Sequence, residues 1–143
     1  MTKKIALIVA LYILGMVLIF HFLIFTEQIP YDKVWAGKVN SVEEMKSFEI
    51  LAILINTFIL IVFFMKFKLL QKEKENKTID LLIWIFAVFF ALNTIGNLFS
   101  KSMTEFIVGT FLTLTLSVLS IVIAKKKDCN QVLWYVTFFV LVY

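Results

Sequence analysis

The chain has a single histidine, His21, and it falls inside an apolar run from Ile5 to Phe25. The next apolar run holds a carboxylate, Glu49, and a carboxamide, Asn56; a third run holds two more carboxamides, Asn93 and Asn97. An imidazole beside a carboxylate is a proton-transfer pair, and a carboxamide both donates and accepts hydrogen bonds to a ligand or a water. Inside a hydrocarbon-like segment such groups need partners, because lipid offers none. Glu49 and Asn56 are seven apart, nearly two helical turns, so they share one stripe. Asn93 and Asn97 are four apart and share a face of their own helix. Tyr31 and Trp35, four apart in the segment after the first run, share a face of a helical turn and suit the headgroup level. The candidate ligand-binding set is therefore His21, Glu49, Asn56, Asn93, Asn97, Trp35 and Tyr31.

Other readings compete with this one. Asparagines between membrane helices act as glue worth roughly 0.6–2 kcal/mol each. Glu49 could pair with Lys46 or Lys101, and His21 could snorkel to the interface. A third possibility is an intramembrane lipid-modifying enzyme built on His21 and Glu49, but the residues favour binding over catalysis, and no catalytic residue is assigned. There is no glycine-rich phosphate loop, no HExxH and no GxSxG. One histidine builds no multi-histidine metal site, and the single cysteine, Cys129, excludes CxxC redox chemistry. No metal and no cofactor is expected.

The elements that must position these residues come from the apolar pattern. Of 143 residues, 62% are hydrophobic, above the usual half. The excess is gathered into runs of about 20 residues, the length that spans a bilayer core. Spans are expected at about 5–25, 47–65, 79–99 and 106–124. The first is too long for a signal-peptide core and lacks a small-residue cleavage site, so it reads as an uncleaved span. Ser41 and Glu44 form a capping box that starts the second helix before its span, and Ser102 and Glu105 form another before the fourth. Thr78 is the expected cap of the third helix, with Asp80 favourable to its dipole. The stretch 66–77, with five lysines and two glutamates, reads as the loop between the second and third spans. The apolar tail 132–143 covers only ~18 Å as a helix and reads as a short embedded segment.

All 14 basic residues are lysines. Ten lie at the amino terminus, in 66–77 and in 125–127; four lie in the 26–46 and 100–104 connections. The basic excess thus marks topology, not nucleic acid, and the positive-inside rule puts the amino terminus in the cytoplasm. His21, Glu49 and Asn97 then sit about 4–6 Å beneath the outer surface, with Asn93 and Asn56 deeper at roughly 10 and 15 Å. Thr113, Ser117, Ser120 and Ala124 form a small-residue seam on the fourth helix, and Gly96 and Ser100 a second small pair; such residues pack helices, within one chain or between copies.

The segments Asn93–Thr94–Ile95–Gly96–Asn97–Leu98–Phe99–Ser100–Lys101–Ser102 through Glu105, and Ile29–Pro30–Tyr31–Asp32–Lys33–Val34–Trp35–Ala36–Gly37, resemble those of small uncharacterised bacterial integral-membrane proteins of four spans. The resemblance covers most of the chain and implies no function. An all-lysine, Ile/Phe/Asn-rich composition is likewise common in AT-rich bacterial genomes. Small multidrug exporters, similar in size, carry a glutamate in the first span where this chain has only His21.

The sequence therefore predicts an all-α, polytopic membrane four-helix bundle with a short apolar carboxy-terminal helix, in the inner or plasma membrane. Its expected partner is a membrane lipid or small amphiphile held in an outward-facing polar pocket.

Overall fold

The structure, a computed structural model, describes residues 2–30, 34, 39 and 41–125. Among these residues all regular structure is helical: α1 (Lys3–Phe25), α2 (Val42–Gln71), α3 (Lys77–Leu98), a π-helical turn (Glu105–Gly109) and α4 (Thr110–Ala124), which continues that turn. With the π turn joined to α4, four helices are long and apolar enough to cross a membrane. This is the make-up of a multi-pass membrane protein. The tail 132–143, Cys129, Tyr31 and Trp35 lie outside the described residues.

Local chemistry explains the helix ends. The Ser41 hydroxyl accepts from the Glu44 amide at 3.1 Å, as the capping box predicts. At the start of α3 the expectation of Thr78 is corrected: Asn76 is the cap, its carboxamide oxygen accepting from the amides of Thr78 and Ile79 at 3.0 and 3.2 Å. One side chain a turn earlier satisfies two orphan donors. The stop of the second helix near Met65 is corrected too. Lys66–Gln71 contains only good helix formers and Phe67, so α2 runs on to Gln71. It ends in a Schellman turn, with Lys74 N–H donating to the Leu69 carbonyl and Glu73 at φ 53°. α1 ends the same way, with Gln28 bonded to Leu23 and Glu27 at φ 61°. Glu105 N–H donates to Ser102 Oγ at 3.4 Å, again as predicted, but the π-helical turn that follows has no counterpart in the sequence pattern.

α1 packs on α2 and α3 packs on α4, giving two hairpins; α1 also meets α4, and α2 meets α3 less extensively. Lys3 Nζ donates to the Lys125 carbonyl. The start of α1, the 66–77 stretch and the end of α4 thus share one end of the molecule, here called the basic end. The opposite end is the distal end.

The two halves pack differently. One apolar core joins all four helices in the basic half: Ala6, Leu7, Ala10 and Leu14 of α1, Ile59, Val62 and Phe63 of α2, Ile79, Ile83, Phe86 and Phe90 of α3, and Leu116, Leu119 and Ile123 of α4. In the distal half α1 buries nothing between Leu14 and Ile24, α2 nothing between Glu49 and Ile59, and the π turn and α4 nothing before Leu116. A second small cluster, Ile24, Val34, Val39 and Met45, packs Val34 and Val39 against α1 and α2. Exposed apolar residues run the whole length of α1, as Ile5, Ile8, Tyr12, Met16, Ile19 and Phe22. A stripe of that kind belongs against lipid rather than water.

Candidate functional site

In the basic half apolar residues line the core faces of α1, α2 and α3. Followed by helical spacing into the distal half, the same faces become polar. On α1 the face Leu7, Leu14 leads seven residues on to His21. On α2 it passes from Phe63 and Ile59 back through Asn56 and Ala52 to Glu49. On α3 it passes from Ile83, Phe86 and Phe90 to Asn93 and Asn97. Positions that would carry a core in an ordinary bundle carry an imidazole, a carboxylate and three carboxamides.

His21 and Glu49 meet. Nδ1 of His21 lies 2.7 Å from Oε2 of Glu49. The Glu49 side chain is fully buried at 0% exposure, while His21 keeps 20%. A carboxylate only accepts, so Nδ1–H donates to it; this fixes the ring and turns Nε2 into an acceptor when the imidazole is neutral. A buried carboxylate behind a partly exposed imidazole is the arrangement that presents Nε2 to a hydroxyl or ammonium donor. Lys46 does not take Glu49, because it pairs with Glu27 at 2.6 Å. Phe20 packs edge-on to the imidazole.

The carboxamides do not join this pair. Asn56 Nδ2 donates to the Ala52 carbonyl of its own helix at 2.9 Å. Asn97 turns to the neighbouring helix, where its Nδ2 lies 3.4 Å from Thr113 Oγ1. Thr113 donates to the Gly109 carbonyl at 2.8 Å and accepts from Thr94 at 2.9 Å. Of the candidate residues, His21 and Glu49 thus meet inside one hairpin, while Asn97 joins Thr94 and Thr113 inside the other. The half-buried Asn93 makes no side-chain hydrogen bond among the described residues.

The close approach of α3 to the π turn depends on Gly109, where a Cβ would sit 2.9 Å from Asn97 Nδ2. At Gly96 an added Cβ would meet nothing within 4 Å, so it is not a point of contact between helices of this chain. The α4 seam is used inside the chain: Ser117 donates to the Ala87 carbonyl of α3 at 2.9 Å, and Ser120 is wholly buried.

Two polar residues escaped the sequence reading. Thr94 is seven residues from Ala87, on the face that meets α4, and that spacing was legible. Lys66 is buried at 5% exposure and pairs with Asp80 at 2.5 Å across the basic end of α2 and α3. Its signal was a stripe, Ile59, Phe63 and Lys66, hidden because all lysines were counted as topology markers. Asp80 thus has a partner beyond the helix dipole. No group of three histidine, cysteine, aspartate or glutamate side chains suited to a metal occurs among the described residues.

Comparison with protein-family models, with curated proteins and with solved structures finds no match for this chain.

Proposed function

We propose that this chain is a small membrane-embedded binding protein. Its four helices form a bundle in the inner or plasma membrane, with the basic end in the cytoplasm and the distal half opening outward. There it holds, or helps to transport, an amphiphilic, lipid-like ligand. Two observations support the orientation: the lysine partition, and the bond that brings Lys3 and Lys125 to one end. The binding reading rests on one observation above the others. A fully buried Glu49 is hydrogen-bonded to a partly exposed His21 in the half of the molecule where, among the described residues, no apolar core joins all four helices. An ionisable pair at such a depth marks a ligand or proton path by default, and clefts between helices of a bundle are common ligand sites.

The purified protein in lipid nanodiscs, titrated with a single-chain lysophospholipid and with a long-chain fatty amine, should gain several degrees of thermal stability from at least one of them. His21→Ala and Glu49→Gln should remove that gain. If both variants keep it undiminished, the pocket is lost as a reading.

A structural role is the second reading, favoured by Asn56 and Asn97, whose amides are spent on a helix carbonyl and on Thr113. Under that reading Asn97→Ala lowers stability, and no added amphiphile changes it.

A further inference from the structure

On α2 the exposed residues Phe58, Ile61 and Met65 fall three and four apart, on a face turned away from the core. The same spacing carries that face on to Lys68 and to Lys72, the residue that caps the helix; both are exposed. Lys66, the buried partner of Asp80, stands on the opposite side of the helix. The lipid-facing stripe of α2 thus ends, at the basic end, in two cations one turn apart.

Lys68 turns back toward the apolar part of its helix. Its Nζ lies 4.8 Å from the centroid of the Phe64 ring, and Phe64 is itself an exposed, lipid-facing residue one turn earlier. Lysines at a membrane boundary ordinarily carry the ammonium away from hydrocarbon. Helical side chains lean toward the N-terminus, and at the C-terminal end of a spanning helix that direction leads into the bilayer. A ring at an exposed site attracts the ammonium only weakly. A carboxylate would do more, but neither Lys68 nor Lys72 forms an ion pair among the described residues. Of the five lysines in 66–77, Lys66 is spent on Asp80, which leaves four against two glutamates.

We infer that this end of α2 docks an anionic phospholipid of the leaflet at the basic end, with its phosphate at Lys68 and Lys72 and an acyl chain along Met65, Ile61 and Phe58. Charge complementarity selects the occupant. Two ammonium groups without a carboxylate partner attract a headgroup of net negative charge, whereas a zwitterionic lipid brings an ammonium of its own. The order of groups agrees, since cations stand at the helix end and apolar residues follow toward the bilayer interior. A soluble phosphate would meet the same lysines and gain nothing from the apolar stripe. The inference needs the helices to span a membrane, and it makes no use of His21, Glu49 or the outward pocket.

In the test, the full chain in mild detergent is titrated with phosphatidylglycerol and with phosphatidylcholine of the same acyl chains, and bound lipid is counted by native mass spectrometry. Phosphatidylglycerol should bind more tightly by about threefold or more, given the attraction of each lysine near the surface. Lys68→Gln/Lys72→Gln should bring it down to the phosphatidylcholine level. Lys68→Arg keeps the charge and should keep the preference. So should Lys74→Gln/Lys101→Gln, which removes the same charge away from the stripe. Glycerol 3-phosphate, which has no chains, should not compete. Unchanged helicity and thermal midpoint by circular dichroism show that the variants are folded. Equal binding of the two lipids by the parent chain overturns the proposal, and competition by glycerol 3-phosphate assigns the lysines to a soluble phosphate instead. A preference that survives in Lys68→Gln/Lys72→Gln overturns it as well, and the two lysines then serve topology alone. None of these failures touches the outward pocket, which the amphiphile titration of the His21 and Glu49 variants decides separately.

Discussion

The basic and distal halves are built from the same four helices and solve opposite problems. In the basic half every helix gives its inward face to one core, and the charges there are either at the surface or, like Lys66 and Asp80, locked together. In the distal half the inward faces of α1, α2 and α3 are polar, and each hairpin carries a polar pair of its own. Helix association in lipid gains nothing from hiding apolar surface, since lipid is equally apolar; it depends on packing and on interhelical hydrogen bonds. The basic half uses packing, with Phe63 stacked on Phe86 at 6.3 Å between centroids. The distal half uses hydrogen bonds, such as His21–Glu49 between α1 and α2 and Thr94–Thr113 between α3 and α4. The outcome is a base packed from all four helices, above which the polar pairs His21–Glu49 and Thr94–Thr113 each lie within one hairpin.

The sharpest way to break this contrast is to cut into the base. Phe63 is fully buried where all four helices meet. Phe63→Ala should cost about 3–5 kcal/mol, as for large-to-small changes in packed cores. Leu18→Ala, at a half-buried position in the distal part of α1, should cost about 1 kcal/mol or less, because fewer contacts are lost there. Unfolding in mixed micelles measures both. Equal losses would mean that the distal half has a core after all.

Next in size is the His21–Glu49 pair. His21→Ala takes the imidazole from a carboxylate with no exposure and should cost about 3 kcal/mol, the lower end of the range for breaking a buried pair, because His21 itself keeps 20% exposure. The double variant His21→Ala/Glu49→Leu should be more stable than His21→Ala, since removing the carboxylate also removes its desolvation. A double variant that is less stable than both singles would show that each residue matters through other neighbours.

The sequence made these two halves visible to different degrees. The helices themselves were legible, since four runs of about 20 apolar residues leave no other structure in lipid. The His21–Glu49 meeting was a question the sequence could pose but not answer: stripe and depth agreed, yet which helices are neighbours follows from packing. For the same reason the sequence left open which helix Asn97 meets. Periodicity gives its face, and Gly109, by letting α4 come close, decides what that face meets. Lys66 was read only as a topology mark, and its burial depends on a carboxylate 14 residues on. The π-helical turn at Glu105–Gly109 has no periodic signature of its own.

The smallest expected effects separate two glycines, and they test how tightly the α3–α4 arm is built. Gly96 and Gly109 both stand in helical backbone of the distal half. Replacing an exposed helical glycine by alanine gains up to about 1 kcal/mol from propensity alone. Gly96→Ala should show that gain, because its new methyl group meets nothing within 4 Å. Gly109→Ala should not, because the same methyl group arrives 2.9 Å from Asn97 Nδ2 and 3.1 Å from its Cγ. The Asn97 side chain must then swing away and give up its bond to Thr113, which offsets the propensity term and leaves Gly109→Ala about 1–2 kcal/mol below Gly96→Ala. The cause can be isolated, since in an Asn97→Ala background the obstruction is gone and Gly109→Ala should become neutral or stabilising. If the penalty persists there, the π-helical turn itself demands glycine, and the arm is held by its backbone rather than by the Asn97–Thr113 contact.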